Sequence, residues 1–596
     1  MSIPYPVSST CNHSMFSPRA SVSPTSLLST CALRLAATMA TVCLTFPVGA
    51  REVSSERLLA ADREPENWLM VHKDYAATRF STLAQINASN AKDLKLAFMT
   101  GLGGGERAGF YPNSAMEASP LVEDGSLYVS DGWSNVYKVD VHSGDRGDIV
   151  WRADPGVNKA TAQLPANRGV ALYANEVIVV TNDGRVVGLA KDDGRTVFDQ
   201  SVRLDQREVF TAAPLVVHDK LIIGASGGDL GARGWVGAFD LTTRKMLWRW
   251  FPVPRPGEEG SRTWADGDDQ AWKTGGGAIW GTGAYDPQNN WLIWGTGNPN
   301  KANDSAARPG DNLFTDSTVA LDADTGKLIW YFQYTPNDPF DFDEVGSQML
   351  VTATIDGKPR KVLSHFGRNG FHYTLDAQSG KFLKGAAYIT KLNWTRGLDP
   401  RTGKPLEYKA GQPVQIYAVQ PQRDQGAVEV CPEQHGGANY WPPAYSAITH
   451  LVYAGTWEGC HTVTVKPDEI MGGAINNRER VTGSLVALDP ADAEVQARRQ
   501  SDSPNCAGAV ATAGRIVVTA FRDGMFEVLD DQALKPLYKM NVGTYLGAPP
   551  IVYAVNGKEY IAIVTGGGLS PRLIGPRANK ESYTIESVPM LLVFSL

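Results

Sequence analysis

The chain runs to 596 residues with a net charge of −7, long enough to bury a cofactor-sized cavity. No lysine or arginine run stands out, which excludes the electrostatic footprint of a nucleic-acid or anionic-membrane binder. Sixty Gly, 36 Pro and 15 Trp point to many short strands joined by tight turns.

The first segment reads as an export leader. Arg34 precedes a mostly apolar run from Leu35 to Phe46, and Val48-Gly49-Ala50 has the small residues of a cleavage site. The run is short for a bilayer span. Residues 1–33 are long and Ser/Thr-rich for a bacterial leader, which a start codon placed too far upstream would explain. A membrane anchor or an unstructured tail is the competing reading. The expected division is a leader over 1–50 and one domain over 51–596, exported to the periplasm, where disulfides persist. Cys11, Cys31 and Cys43 fall in the leader and leave Cys431, Cys460 and Cys506. Cys431 and Cys460 are the expected pair, because Cys506 sits in a different repeat. The sequence has no CxxCH, so no attached haem or haem domain is expected. Nine scattered His argue against a zinc site.

One pattern then recurs along the chain: an apolar strand ending in Asp, a turn, and often Gly-Lys followed by an aromatic. Copies start at Val136, Val186, Val236, Val319, Phe371, Ser484 and Phe526, and the plainest runs from Val319 to Trp330. Their spacing is about 45 to 60 residues where no insertion intervenes, the period of a propeller rather than of a helical solenoid. Each small sheet cannot bury both faces alone, so the sheets are expected to stack radially, with strands of period two and apolar side chains inward. The Asp is expected to cap the turn, the Gly to take positive φ, and the aromatic to pack between sheets. Met590 to Phe594 looks like a closing strand. Counting one poorly marked unit between 395 and 465 gives seven or eight sheets. Insertions at 251–275, 299–316 and 395–445 are expected to be loops on one face, where function sits.

At several ordered positions the chain resembles the methanol/ethanol family of quinoprotein alcohol dehydrogenases. The opening segment Asn67-Trp68 … Thr78-Arg79-Phe80-Ser81 and the closing Ala548-Pro549-Pro550 … Gly566-Gly567-Gly568 carry the resemblance at the two ends. It implies an all-β, eight-bladed β-propeller with long loops on the cofactor face, holding pyrroloquinoline quinone (PQQ) over a metal ion. Family positions map onto this chain as follows. Gly228-Asp229 supplies a metal ligand, Asp229, where the family usually has Glu. Gly277-Ala278-Ile279-Trp280 supplies the floor under the quinone, and Gly297-Asn298-Pro299 a second ligand. Asp338 to Asp343 supplies Asp341 as the base, and Gly367-Arg368-Asn369 the basic residue at the quinone carbonyls. Glu117, Arg168, Thr211 and Ser226 fall where the family holds the cofactor's carboxylates and edges, and Asn393 at the rim. Alone, each of these residues has an ordinary structural reading: a turn carboxylate, a core Trp, a surface Arg. Their joint order sets them apart.

The residue types suit that chemistry. Arg and hydroxyls satisfy carboxylates, an indole supports a flat ring system, and carboxylate and amide oxygens take a hard cation. Three positions depart from the family. The adjacent cysteines that line the ceiling of the pocket are replaced by Ala162 and Gln163. The first ligand is shortened to Asp229. Asp343, two residues past the base, matches the lanthanide-using branches and is expected to be a supporting metal ligand, with both carboxylates on one side of an extended strand. Calcium is expected, with a lanthanide as the alternative. The expected reaction is oxidation of an alcohol, bulky or secondary given the altered ceiling, with electrons passed to a soluble cytochrome c or similar acceptor. The competing functions are a quinoprotein sugar or polyol dehydrogenase and a non-enzymatic propeller scaffold, which would need neither Asp341 with Arg368 nor the Trp floor.

Overall fold

The recurring Asp-turn pattern folds as read. In a computed structural model, residues 52–596 are described except 104–114, 161–163, 265–269, 477–480 and 568–586. The expected leader and the Ala162-Gln163 position lie outside the described residues. Among the described residues the chain forms antiparallel four-strand meanders over 121–153, 171–201, 215–250, 284–333, 349–387 and 444–501. Another spans 505–541 and gains Phe80–Ser81 as a parallel fifth strand. The last joins an early strand to late ones: Lys95–Gly101 pairs with Met590–Ser595, beside Lys558–Thr565 and Ile551–Val555. The closing strand is therefore the partner of an early one.

Local chemistry explains why each copy turns where it does. Asp322 Oδ1 accepts from the backbone N–H groups of Asp324 and Thr325, and Asp240, Asp376 and Asp530 cap their turns in the same way. Gly194, Gly326 and Gly380 all take positive φ near 70°. A side chain on them would run into Trp151, Trp248 and Trp330, each from the outer strand of the preceding sheet. The aromatic of one repeat thus lies on the turn glycine of the next, and this contact links neighbouring sheets. The third and fourth strands of seven meanders also share a register shift near the end of the third strand, just before the Asp in six of them, as at Ala320/Leu321.

Two expectations need correction. Period-two alternation does not hold on the inner strands: Val177, Ile178, Val179 and Val180 are all buried, because both faces of an inner strand are covered by adjoining sheets. The unit expected between 395 and 465 is not a four-strand meander of its own: Val428–Val430 pairs with His461–Val465, which pairs with Gly473–Asn476, in a small three-stranded sheet. Ala444–Tyr445 and Val452–Glu458 belong with Thr482–Asp489 and Glu494–Ser501, and the stretch before them is loop carrying the short strand Val428–Val430. Cys431 and Cys460 form a disulfide within this region, and Cys506 is free and buried. No helix of the described residues is long and apolar enough to cross a membrane.

Candidate active site

Glu117, Arg168, Thr211, Ser226, Asp229, Trp280, Asn298, Asp341, Asp343 and Arg368 all sit in segments that connect or lead into sheet strands. Trp280 is the common neighbour of two arginines. The Arg168 guanidinium lies 5.0 Å from its ring centroid and that of Arg368 lies 5.9 Å away. Arg168 is held by Glu117 at 2.8 Å, by Thr211 Oγ1 at 2.7 Å and by the Trp280 carbonyl at 3.2 Å. Thr211 accepts there, so its own hydroxyl proton remains to be given. Ser226 donates its hydroxyl to the Val209 carbonyl and presents lone pairs only.

Carboxylates gather around Arg368 and the indole nitrogen. Asn298 donates its side-chain amide to Asp229 at 3.2 Å, which leaves its amide oxygen for a ligand. Burial, reinforced by the charge of Asp343, pushes Asp229 up to about 6. Burial and then the charge of Asp229 push Asp341 well above the usual carboxylate range. Arg368 is buried, which opposes its charge, yet the neighbouring acids Asp343, Asp341 and Asp229 outweigh that and hold it above its usual value.

The segment 338–343 explains how two acids reach this point. Asp338 accepts the backbone N–H groups of Phe340 and Phe342 at 2.9 and 2.8 Å. Phe340 and Phe342 stack on each other at 5.0 Å and both pack against Trp394. Those contacts hold Asp341 at φ +68°, a left-handed conformation that costs a non-glycine residue roughly 1–2 kcal/mol. The segment is therefore a pinned loop and not the extended strand expected. The alternation of Phe and Asp still sorts the rings to the core and the acids to the site.

The donor set can be tested against the ligands that the resemblance implies. Arg168 Nε and Arg368 Nε are buried N–H groups without partners, and Asp341 Oδ1 is a buried acceptor without one. Leaving such groups unpaired costs about 1–3 kcal/mol each, so the site is incomplete by itself. A planar ligand bearing carboxylates and carbonyls would meet the arginines, and a cation would relieve the raised acids. All the candidate metal donors are oxygens, as a hard cation requires. The residues fit both groups.

Asn393 is bonded to the loop that carries the disulfide. Its amide bonds to the Glu429 carbonyl and the Cys431 N–H, so it braces the disulfide loop. Three contributors escaped the sequence reading. Tyr440 lies 6.0 Å from Trp280 and 4.0 Å under the Arg168 guanidinium, and Trp441 stacks beyond it on Trp457. Glu344 accepts from His365 Nε2 at 2.8 Å and from the Arg368 backbone at 3.1 Å, fixing that residue from behind. The signal for Tyr440 and Trp441 was the Asn-Tyr-Trp-Pro-Pro cluster in an insertion already assigned to the functional face.

Comparison with known proteins points the same way. Residues 68–387 match a PQQ family profile described as glucose/ethanol/alcohol dehydrogenase, beta-propeller domain. The chain is 34% identical to quinohemoprotein alcohol dehydrogenase ADH IIB of Pseudomonas putida, covering 93% of this chain and 81% of that protein. It is 31% identical to quinoprotein alcohol dehydrogenase PedH of Pseudomonas putida, over 91% and 93% of the two chains. Among solved structures it is similar to the quinohemoprotein alcohol dehydrogenase of Comamonas testosteroni, with TM-score 0.79, 29% identity and coverage of 91% and 82%. A europium-containing methanol dehydrogenase gives TM-score 0.81, 27% identity and coverage of 91% and 100%. With sheets, oxygen donors and paired arginines in place, this likeness over nearly the whole described length means that the chain belongs to the PQQ-dependent quinoprotein alcohol dehydrogenases, oxidoreductases acting on alcohols.

Proposed function

We propose that the protein is a periplasmic, eight-bladed enzyme that oxidises a bulky or secondary alcohol to its aldehyde or ketone, using PQQ with a calcium ion. Eight antiparallel meanders, the last joining early and late strands, support the blade number. The observation that carries the site assignment is the grouping of two incompletely paired arginines and a pair of raised carboxylates around one indole. When bound, the quinone supplies a two-electron acceptor polarised by the cation.

This chain's own residues do the rest. Trp280 offers the flat face on which the cofactor lies. Arg168, set by Glu117, and Thr211 would hold its carboxylate end, with Ser226 at the edge and Tyr440 completing the wall. Asp229, the Asn298 amide oxygen and one Asp341 oxygen would hold the cation. Asp341 Oδ1 takes the hydroxyl proton of the alcohol. Arg368 donates to the carbonyl end and stabilises negative charge there. Electrons leave to a cytochrome c or similar soluble acceptor, and the leader over 1–50 directs export.

The test is reconstitution of apoprotein with PQQ and Ca²⁺ or La³⁺, followed by an alcohol panel with an artificial electron acceptor. Activity should require the quinone together with a metal ion. Robust turnover with NAD alone would overturn the reading, and a preference for sugars would favour the quinoprotein sugar dehydrogenases. Rates with primary, secondary and bulky alcohols decide the substrate class.

A further inference from the structure

Asp343 is engaged on every side by other members of the site. Its Oδ1 accepts the Asn298 backbone N–H at 2.8 Å. Its Oδ2 accepts both the Trp280 indole N–H at 3.1 Å and an Arg368 guanidinium N–H at 2.5 Å. A carboxylate has about four acceptor positions, and three are occupied here. The approach is built into the backbone: a side chain on Gly297 would come within 2.2 Å of Asp343 Oδ1, so only glycine lets the carboxylate sit there.

The placement argues against coordination. Oxygens on one ion at about 2.4 Å can be at most about 4.8 Å apart. No choice of one oxygen from each of Asp229, Asp341 and Asp343 keeps all three within 4.8 Å of one another. Asp341 Oδ1, by contrast, has no partner at all. The three acids therefore do not share one sphere as they stand, and Asp343 is the one whose oxygens are already committed to other partners.

We propose that Asp343 is a positioning residue and not a metal ligand: it clamps the indole of Trp280 and the guanidinium of Arg368 at fixed angles. This rests on the reading of Trp280 and Arg368 as cofactor-contacting groups. The indole can rotate about its side-chain bonds, and the hydrogen bond at its nitrogen fixes the plane on which a flat ligand lies. The same carboxylate fixes Arg368, so floor and carbonyl donor are set relative to each other before any ligand arrives. The pairing also cancels the charge of Arg368 against Asp343. Two acids, Asp229 and Asp341, then face the cation, a balance suited to a divalent ion.

The experiment counts ligands directly. Wild type, Asp343→Ala and Asn298→Ala are loaded with Tb³⁺, and luminescence lifetimes in H₂O and D₂O give the number of waters on the ion. Quinone affinity is titrated by absorbance in parallel. Asp343→Ala should leave the water count unchanged while weakening quinone binding tenfold or more, and Asn298→Ala should raise the count by about one. A gain of one or more waters in Asp343→Ala, with quinone affinity intact, overturns the assignment. Should that variant fail to fold, the crystal structure of the wild-type holoenzyme with La³⁺ decides. Both Asp343 oxygens should remain on Trp280, Asn298 and Arg368, and an oxygen within about 2.6 Å of the ion refutes the proposal. If wild type binds neither quinone nor metal, the site reading itself fails, a result distinct from either outcome above.

Discussion

At the scale of single residues, Asp341 and Asn298 carry separable duties. Asp341 has a buried oxygen with no partner, and Asn298 has an amide oxygen left over after its N–H groups are used. Asp341→Asn keeps the shape and removes the proton acceptor. Turnover should fall by about 10²–10⁴-fold while the quinone still binds, as read from its absorbance. Near-normal turnover would move the base elsewhere. Asn298→Ala removes a neutral ligand, so the ion concentration for half-activation should rise and saturating metal should recover part of the rate. An unchanged metal requirement removes Asn298 from the site. The family pattern points to these residues because each lies in a short segment with fixed neighbours. It also points to Asn393 at the rim, and a chain read in one dimension carries no sign that this amide braces a loop as well.

At the scale of elements, the Asp-turn copies were legible because their chemistry is local: a capping carboxylate, a positive-φ glycine and an aromatic, all within about ten residues. First strands were not legible. Leu121–Glu123, Leu215–Val217 and Ala444–Tyr445 are two or three residues long, too short for any period to show. That is why a separate unit was expected near 395–465, where a long loop and a small three-stranded sheet surround the late start of the next meander. The contact between repeats gives a test. Gly326 has φ +70°, and a methyl group on it would sit 2.4 Å from the Trp248 ring of the preceding sheet. Gly326→Ala should cost roughly 2–4 kcal/mol from backbone strain and overpacking, measured by urea unfolding. Metal and quinone affinity should be unchanged, because the turn lies outside the cluster. The Cys431–Cys460 bridge belongs to this scale too. It closes a loop with a sequence separation of 29. Replacing both cysteines with serine should cost about 3 kcal/mol in the chain-entropy account, and peptide mapping of the native protein should find Cys506 as the free thiol.

At the scale of the whole molecule, an early strand and a late strand meet in one sheet, and a buried acid lies at that seam. Lys95–Gly101 pairs with Met590–Ser595, and Phe594 stacks on Phe526 of the neighbouring sheet at 4.4 Å. In the same sheet, Glu559 is 2% exposed. Its Oε2 accepts the Ile86 N–H at 2.9 Å, and its own N–H donates to Gln85 at 2.7 Å, so it ties the early segment to the late one. Its other oxygen is buried without a partner. Burial pushes the carboxyl up from 4.5 to about 7, against the two backbone bonds that favour its charge. An acid whose folded pKa is raised is held neutral by the fold while the unfolded chain ionises. Below about pH 4.5 both states are protonated and the group contributes nothing to the difference. As pH climbs towards 7 the unfolded chain releases its proton first, so stability falls across that window and stays lower above it. The loss is at most about 3 kcal/mol, from the size of the shift. Glu559→Gln keeps an acceptor for Ile86 and cannot ionise. Relative to wild type, its unfolding free energy should therefore rise between pH 5 and pH 8 by roughly 1–3 kcal/mol, read from urea titrations at the two pH values. Taking the difference between variant and wild type removes every other group that titrates in that range. An equal offset at both pH values would mean that the seam holds its carboxylate charged, with the closure resting on the Ile86 and Gln85 bonds in their ionic form.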